Sequence, residues 1–290
     1  IPILVIPQII LSGVIVKFEK LNPNISSPVA IPIYGEFIAA RWGYEALAVK
    51  QFMNNKFERQ FYELEKMKSK GNYKRNFWCS DLKLKLDAIS NDLNKGDKGN
   101  DFNNNLLLVS NEIKKELISL PKLKFDYGND LTPEKITPEI TTAALNYLES
   151  LRRYYIDYYN FADAKKNALI EKLQNENAES FYALRDNYHN LKLEEFVVNK
   201  NETITKVEFK GELIQKMDPI FMDPKFKLIK AHFYSPSKQI FGMRVDTYVV
   251  NVIVLWVMTF VLYLALYFRL LKKLLDSGEA VIGKKMKDSD

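Results

Sequence analysis

The feature that most constrains this chain is an uncharged apolar run at residues 247–268 (TYVVNVIVLWVMTFVLYLALYF). As an α-helix these 22 residues extend about 33 Å, enough to cross the roughly 30 Å hydrocarbon core of a membrane. Arg269, Lys272 and Lys273 follow at once, and basic residues are enriched at the cytoplasmic ends of membrane helices. We therefore predict a C-terminal membrane helix at residues 246–269 and a cytoplasmic tail at residues 270–290.

A second apolar stretch, residues 1–16 (IPILVIPQIILSGVIV), precedes the first charge at Lys17. It is short for a membrane span, and it lacks the initiating Met and the basic start of a signal peptide. Pro2 and Pro7 also fit poorly with the apolar centre of such a peptide. We expect residues 1–18 to be the outer part of a truncated membrane helix, in a chain that belongs to a longer protein.

Ordinary charged globular sequence lies between the two apolar ends, and the mean hydropathy of −0.22 is too low for a bundle of many spans. The tail after Phe268 holds six of the 42 basic residues and four of the 36 acidic ones, so charge elsewhere is nearly balanced and indicates no nucleic-acid partner. Cys79 is the only cysteine, which excludes an intrachain disulfide.

The predicted fold class is mainly α, with two membrane helices, the first truncated, flanking a large helical extracytoplasmic domain that contains a small β element. A proline-broken connection and a membrane-surface helix occupy residues 19–52, and the extracytoplasmic domain occupies residues 53–245. Within these segments, apolar spacing predicts helices from Phe37 to about residue 68 and at residues 72–93. The polar run at residues 91–105 (NDLNKGDKGNDFNNN) predicts a mobile loop, without the spacing of a calcium loop.

Residues 139–210 contain neither Gly nor Pro and follow Thr137 and Pro138, a favourable helix start. Stripes of apolar residues in this run predict two long antiparallel helices. Its tyrosine-rich patch at residues 152–159 (RRYYIDYY) could be a ligand platform, but packing between helices is the favoured interpretation. Alternating residues at 202–209, and a further stretch at 226–233, predict strands.

Arg41 and Glu45 lie four residues apart on the helix predicted to begin near Phe37, so their side chains share one face. We predict that they pair and fix this helix at the membrane surface. An exposed pair contributes only about 0.5 kcal/mol, so a large effect requires partial burial.

The residues that soluble enzymes use for catalysis are scarce in this chain. His189 and His232 are the only histidines, and they lie far apart in the sequence. Phosphate-binding loops, hydrolase nucleophile motifs and metal-binding motifs do not occur in it. We therefore expect no catalytic residues, no metal site and no cofactor in this chain.

Two motifs near the N-terminus are similar to a known family. Residues 6–16 (IPQIILSGVIV) and 40–47 (ARWGYEAL) resemble the end of the fifth membrane helix and the following external loop in ABC transporters of the G subfamily. Residues 218–224 (DPIFMDP), 231–236 (AHFYSP) and the last apolar helix resemble the large Bacteroidetes exporters of this type, which carry an enlarged external domain. The resemblance covers residues 1–60 and 215–276; the middle differs from the short, disulfide-linked loop of eukaryotic members.

The resemblance implies a C-terminal permease part of an ATP-driven exporter in a bacterial inner membrane, with a periplasmic domain. An upstream nucleotide-binding domain would bind ATP and Mg, and a second permease half, usually an identical copy, would complete the pathway for an unspecified substrate. In the family, an apolar pair after Ser-Gly forms a valve. Here Ser12 and Gly13 precede Val14 and Ile15, whose side chains could close a dewetted gate or could merely contact lipid and neighbouring helices.

A function of a different class fits the same topology. A two-pass membrane sensor or envelope-interaction protein would also place a helical domain between two membrane segments. The upstream coding sequence distinguishes the two, because an exporter requires a phosphate-binding loop and several earlier membrane helices.

Overall fold

The computed structural model of the protein describes residues 2–15, 18, 29–201, 203–226, 228–270 and 272. Within these residues the chain is mainly helical with two small β-hairpins, as the sequence predicted at that level. The predicted tail at residues 270–290 lies outside the described residues except for 270 and 272, as does most of the proline-broken connection.

The helices are α1 (Pro2–Ile10), α2 (Ile33–Glu36), α3 (Ala39–Met53), α4 (Tyr62–Tyr73), α5 (Cys79–Lys95), α6 (Asn100–Ser119), α7 (Pro138–Tyr188), α8 (Leu191–Val197) and α9 (Thr247–Tyr267). The strands are β1 (Lys206–Phe209), β2 (Glu212–Gln215), β3 (Ser237–Ile240) and β4 (Met243–Asp246). β1 pairs with β2, and β3 with β4, each antiparallel.

The largest hydrophobic core lies where α5, α6 and the first half of α7 meet. Trp78, Leu82 and Leu86 are buried there against Leu148 and Leu151. The apolar stripe of α7 therefore packs on α4 and α5, whereas the sequence predicted that it packs on a second helix from the same run.

Helix α7 begins as predicted: the Thr137 hydroxyl accepts a hydrogen bond from the Ile140 N–H, and Pro138 occupies the first turn. The helix is broken at Asn177, whose φ of −165° and ψ of 97° are not helical. The Asn177 side chain accepts a hydrogen bond from the Ser180 N–H (2.8 Å), so it caps a second helical stretch. The break occurs at a capping residue, where neither Gly nor Pro is present.

The tyrosine-rich patch packs between helices, as predicted. The Tyr155 hydroxyl is buried and donates a hydrogen bond to Glu116 (2.5 Å), which also contacts Lys74. Nearby, Glu112 accepts hydrogen bonds from the Trp78 indole (2.6 Å) and from the backbone N–H of Leu213 (3.3 Å), which ties β2 to α6. These buried carboxylates connect α6 to the segment Lys74–Trp78, to α7 and to β2 through charged hydrogen bonds.

The predicted helix from Phe37 to residue 68 is wrong in its middle, because α3 ends at Met53 and α4 begins at Tyr62. The Asn55 side chain explains the break, since it accepts hydrogen bonds from the N–H groups of Phe57 and Glu58 and so competes with the helical pattern. In contrast, α4 and α5 are joined by a π-helical turn, Lys74–Trp78, without interruption.

The predicted mobile loop at residues 91–105 is also wrong. Helix α5 continues to Lys95 and ends at Gly96 (φ 71°), and α6 begins at Asn100. Phe102 and Leu106 are buried one turn apart, so this polar segment does have apolar residues to bury. The predicted strand at 202–209 is confirmed only as β1. The described residues of the stretch at 226–233 form no strand, and β3 and β4 were not predicted.

Helix α9 is the one helix among the described residues that is long and apolar enough to cross a membrane. Its first turns pack on α3, where Thr247, Val250 and Asn251 are buried, whereas most later side chains are exposed. Helix α1 has only nine residues and contains Pro7, so the structure does not show the predicted second membrane helix.

Candidate functional site

A buried cluster of charged residues lies where α3, β3 and the start of α9 meet. Arg41 and Glu45 come from α3, Lys238 from β3 and Asn251 from the second turn of α9. All four side chains are almost completely buried. Charged side chains are rarely buried unless they are paired, so this cluster is the most unusual feature of the interface between α9 and the rest of the chain.

The Glu45 carboxylate is the centre of the cluster. Its Oε2 atom accepts hydrogen bonds from Arg41 Nη1 (3.1 Å), Lys238 Nζ (2.7 Å) and Asn251 Nδ2 (2.8 Å). The Asn251 amide completes the network: its Oδ1 accepts from Lys238 Nζ (2.8 Å), and its Nδ2 also donates to the Trp42 carbonyl (3.1 Å). One carboxylate thus joins three separate elements.

The Arg41 guanidinium and the Trp42 ring extend the cluster toward α2. Arg41 contacts the Glu36 carboxylate and donates to the Gly35 carbonyl (3.2 Å). Its guanidinium lies 3.4 Å from the centre of the Trp42 ring, and the Lys238 ammonium lies 4.3 Å from the same ring. The indole is therefore in contact with two cations, an arrangement that its ring quadrupole favours.

The electrostatics of the cluster are balanced, with two cations and two carboxylates. Burial alone would raise the pKa of Glu45, but the charges of Lys238 and Arg41 outweigh it and hold this pKa below its ordinary value. Burial lowers the pKa of Lys238, although Glu45 opposes the change. Burial also raises the pKa of Glu36, which is only partly inside the protein. Loss of any one charge would leave an uncompensated charge in the interior.

The first turn of α9 is held by neighbouring residues as well. The Asp246 carboxylate caps the helix by accepting from the Tyr248 N–H (2.7 Å). The Thr247 hydroxyl donates to the Ser235 carbonyl (2.6 Å), and the Thr247 N–H donates to the Pro236 carbonyl (3.2 Å). The first two turns of α9 are thus fixed to residues 235–236, just before β3, and, through Asn251, to α3.

The candidate gate residues lie in a turn that follows α1. The Ser12 hydroxyl donates to the Ile9 carbonyl (2.7 Å), and Gly13 has a positive φ of 82°, which favours glycine. A Cβ at Gly13 would also collide with the Phe18 ring. Val14 is half-buried, whereas Ile15 is 65% exposed, so the two side chains have different surroundings within one chain.

Val14 lines a narrow cavity together with His232 and Phe233. Burial lowers the pKa of His232 to about 4, while its hydrogen bond to the Pro219 carbonyl (2.9 Å) acts in the opposite direction. The other histidine, His189, contacts Glu58 in a different part of the protein. Within the described residues, no group of three or more His, Cys, Asp or Glu side chains could hold a metal ion.

Sequence reasoning found Arg41 and Glu45 but missed Lys238, Asn251 and Trp42. A signal for Asn251 was present, because an amide inside an apolar membrane run marks a contact with protein. Lys238 had no such signal: it lies in a short polar strand, and its contacts depend on residues nearly 200 positions earlier.

Comparison of the chain with known protein-family models finds no matching family, and comparisons with curated proteins and with solved structures find no match.

Proposed function

We propose that this chain is the C-terminal permease part of an ATP-driven exporter of the ABC G type. In this proposal α9 and the segment around α1 belong to a membrane bundle in a bacterial inner membrane, and residues 19–245 lie in the periplasm. An upstream domain supplies ATP and Mg binding, and a second copy of the permease completes the pathway for a substrate that the chain does not specify.

The observation that carries the proposal is a seam of large side chains along α9. These side chains are spaced alternately four and three residues apart, which is the spacing of residues that pack against a neighbouring helix. All of them are exposed: Val249, Ile253, Trp256, Phe260, Tyr263 and Tyr267. At about 100° per residue, the centre of this seam lies roughly 160° around the helix from Asn251 and roughly 100° from Val250, the two buried residues at the α3 side.

The depth of Trp256 supports a bundle over a single lipid-surrounded span. Trp256 lies nine residues, or about 13 Å, from the start of α9 and is therefore near the middle of a bilayer. Its ring is 72% exposed, and its indole N–H has no hydrogen-bond partner among the described residues. Lipid tails cannot accept this hydrogen bond, whereas a neighbouring membrane helix or a polar pathway can.

The charge cluster supports a mechanical role for the same helix. Because Glu45 joins α3, β3 and α9, a displacement of α9 moves the membrane-proximal part of the external domain with it. An exporter requires such coupling between its membrane helices and its external face. A sensor would use the same coupling, so the cluster alone does not distinguish the two functions.

Photocrosslinking in the full-length protein separates the two functions. In native membranes, a photoreactive phenylalanine analogue at Trp256 should crosslink to a membrane helix of the protein other than the segment around α1, which a two-pass sensor would not have. The same analogue at Leu262, an exposed position outside the seam, should crosslink mainly to lipid. If both positions crosslink only to lipid, α9 is an isolated span and the sensor or envelope-interaction protein becomes the better proposal.

The proposed orientation has its own test. With a membrane-impermeant thiol reagent, an Asn100→Cys variant should be labelled in intact spheroplasts, and an Asp288→Cys variant should be labelled only after lysis. Labelling of the Asp288→Cys variant alone in intact spheroplasts would show that the orientation is the opposite of the proposed one.

A further inference from the structure

A cavity of about 330 Å³ lies in the external domain, where the break in α7 faces the segment between α3 and α4. Ile170 and Phe181, on either side of Asn177, contribute to its wall. Phe57 and Phe61 also line it. This volume is within the range of about 300–1,000 Å³ that small-molecule sites occupy.

Aromatic rings form much of the cavity wall. The Phe57 ring centre lies 5.1 Å from that of Phe61, 5.9 Å from that of Phe181 and 6.0 Å from the His189 ring. The Lys166 ammonium already lies 5.8 Å from the Phe61 ring, so one cation of the protein itself occupies this aromatic environment. Aromatic faces attract cations, and more strongly where water is excluded.

The charged groups of the cavity leave an excess of negative charge. Lys166 contacts Glu65, and Arg185 pairs with Asp186 outside the lining (2.9 Å). The two other lining carboxylates, Glu58 and Glu194, pair with neither a lysine nor an arginine among the described residues.

Both carboxylates instead approach the two nitrogens of one imidazole. His189 Nδ1 lies 2.5 Å from a Glu58 oxygen, and His189 Nε2 lies 3.6 Å from a Glu194 oxygen. The Glu58 side chain is only 13% exposed, and burial raises its pKa although the hydrogen bond to His189 opposes the change. A buried carboxylate in this position is stabilised by a further positive charge.

We propose that this cavity binds an organic cation with an apolar body, such as a substituted ammonium group carried on an aromatic or aliphatic frame. The phenylalanine rings bury the apolar body and contact the cationic centre, while Glu58 and Glu194 supply the opposite charge. The site lies in the external domain and does not depend on the proposed export function, because an external sensor domain would present the same cavity.

Binding is tested with the complete chain in nanodiscs of neutral phosphatidylcholine, with empty nanodiscs as the blank. Benzyltrimethylammonium, followed by calorimetry and by ligand-observed NMR at pH 8, should bind saturably. Benzoate, which has a similar ring and the opposite charge, should not. Absence of saturable binding by the cation, or equal binding by benzoate, would overturn the proposal.

Three substitutions locate the site. Glu58→Gln keeps an acceptor for His189 but removes the charge, so it should weaken the affinity for the cation by about fivefold or more. Glu179→Gln, an exposed position on α7 outside the cavity, should leave the affinity unchanged. Phe57→Leu, which keeps the cavity apolar but removes a ring, should also weaken the binding of the cation. This variant tests the site if Glu58→Gln does not fold. Unchanged affinity in a folded Glu58→Gln or Phe57→Leu variant would place the cation elsewhere.

Discussion

Replacing Glu45 by glutamine tests the charge cluster at the base of α9. The substitution preserves the size of the side chain and removes only its charge, so no cavity is created. Arg41 and Lys238 would then remain buried with Glu36 as their one carboxylate, and the cluster would carry a net positive charge. We therefore expect a large loss of stability from a change of a few atoms.

The burial and the hydrogen bonds of Glu45 determine how large this loss of stability is. Glu45 is completely buried and accepts three hydrogen bonds, two of them from cations, and disrupting a buried ion pair from one side costs about 3–5 kcal/mol. For a chain of 290 residues, with an unfolding entropy of about 2.1 cal/mol/K per residue, that corresponds to a decrease in Tm of roughly 5–8 °C. Thermal unfolding of the complete chain in nanodiscs, followed by tryptophan fluorescence, measures it directly.

The matched control is Glu149→Gln. Glu149 is 51% exposed, and its nearest arginine nitrogen lies 3.8 Å away, so the same substitution there should cost no more than about 0.5 kcal/mol. Adding Lys238→Met to Glu45→Gln should restore charge balance and recover much of the lost Tm. Equal Tm values for Glu45→Gln and Glu149→Gln would refute the reasoning, and so would a double variant less stable than Glu45→Gln alone.

Three further outcomes follow from the structure and the proposal. In the reconstituted full-length protein, Val14→Ala with Ile15→Ala should uncouple ATP hydrolysis from export, while Val261→Ala, at an exposed site on α9, should not. Wild-type coupling in the double variant would show that Val14 and Ile15 do not form a gate. Burial raises the pKa of Cys79 to about 12, so a thiol reagent should react with it only after unfolding, and rapid labelling of the native protein would contradict its burial. Burial would raise the pKa of Glu112, but hydrogen bonds from Lys115 and Trp78 hold it below 4.5, so its contribution to stability is complete above that pH and is lost as pH falls through the lowered pKa. Glu112→Gln should therefore flatten the acid limb of Tm against pH, and an unchanged acid limb would argue against this role.

Helix starts and the long apolar helix could be predicted because their signals are local. Thr137 and Pro138 start α7 where the sequence indicates, and the apolar run at 247–268 corresponds to α9. Breaks made by side-chain hydrogen bonds were harder to predict. Asn55 interrupts a helix that the sequence predicted to continue, whereas Asn177 lies between the two helices predicted in the 139–210 run, and asparagine is common inside helices when its amide faces solvent.

Only part of the charge cluster could be predicted from the sequence, for a related reason. The pairing of Arg41 with Glu45 depends on helical spacing within one element, so it could be read from the sequence. The contribution of Lys238 depends on the β3–β4 hairpin, whose four-residue strands carry little alternation of apolar and polar residues. The Phe57 ring meets that of Phe181, which lies beyond the break in α7; the sequence predicted two helices in this run but gave neither the exact position of the break nor this contact.

In the proposed membrane setting, the attachment of the first two turns of α9 couples the external domain to the thickness of the membrane. A free membrane helix tilts when its apolar length exceeds that of the bilayer. Here the Thr247 hydroxyl donates to the Ser235 carbonyl, just before β3, and the Asn251 amide donates to the Trp42 carbonyl of α3. The first two turns are therefore held in place, so in the proposed orientation α9 cannot tilt alone. In a thinner bilayer the external domain must lean with the helix, or the aromatic end near Tyr267 must emerge on the cytoplasmic side. The thickness of the surrounding lipid would thereby set the angle at which the domain stands above the membrane.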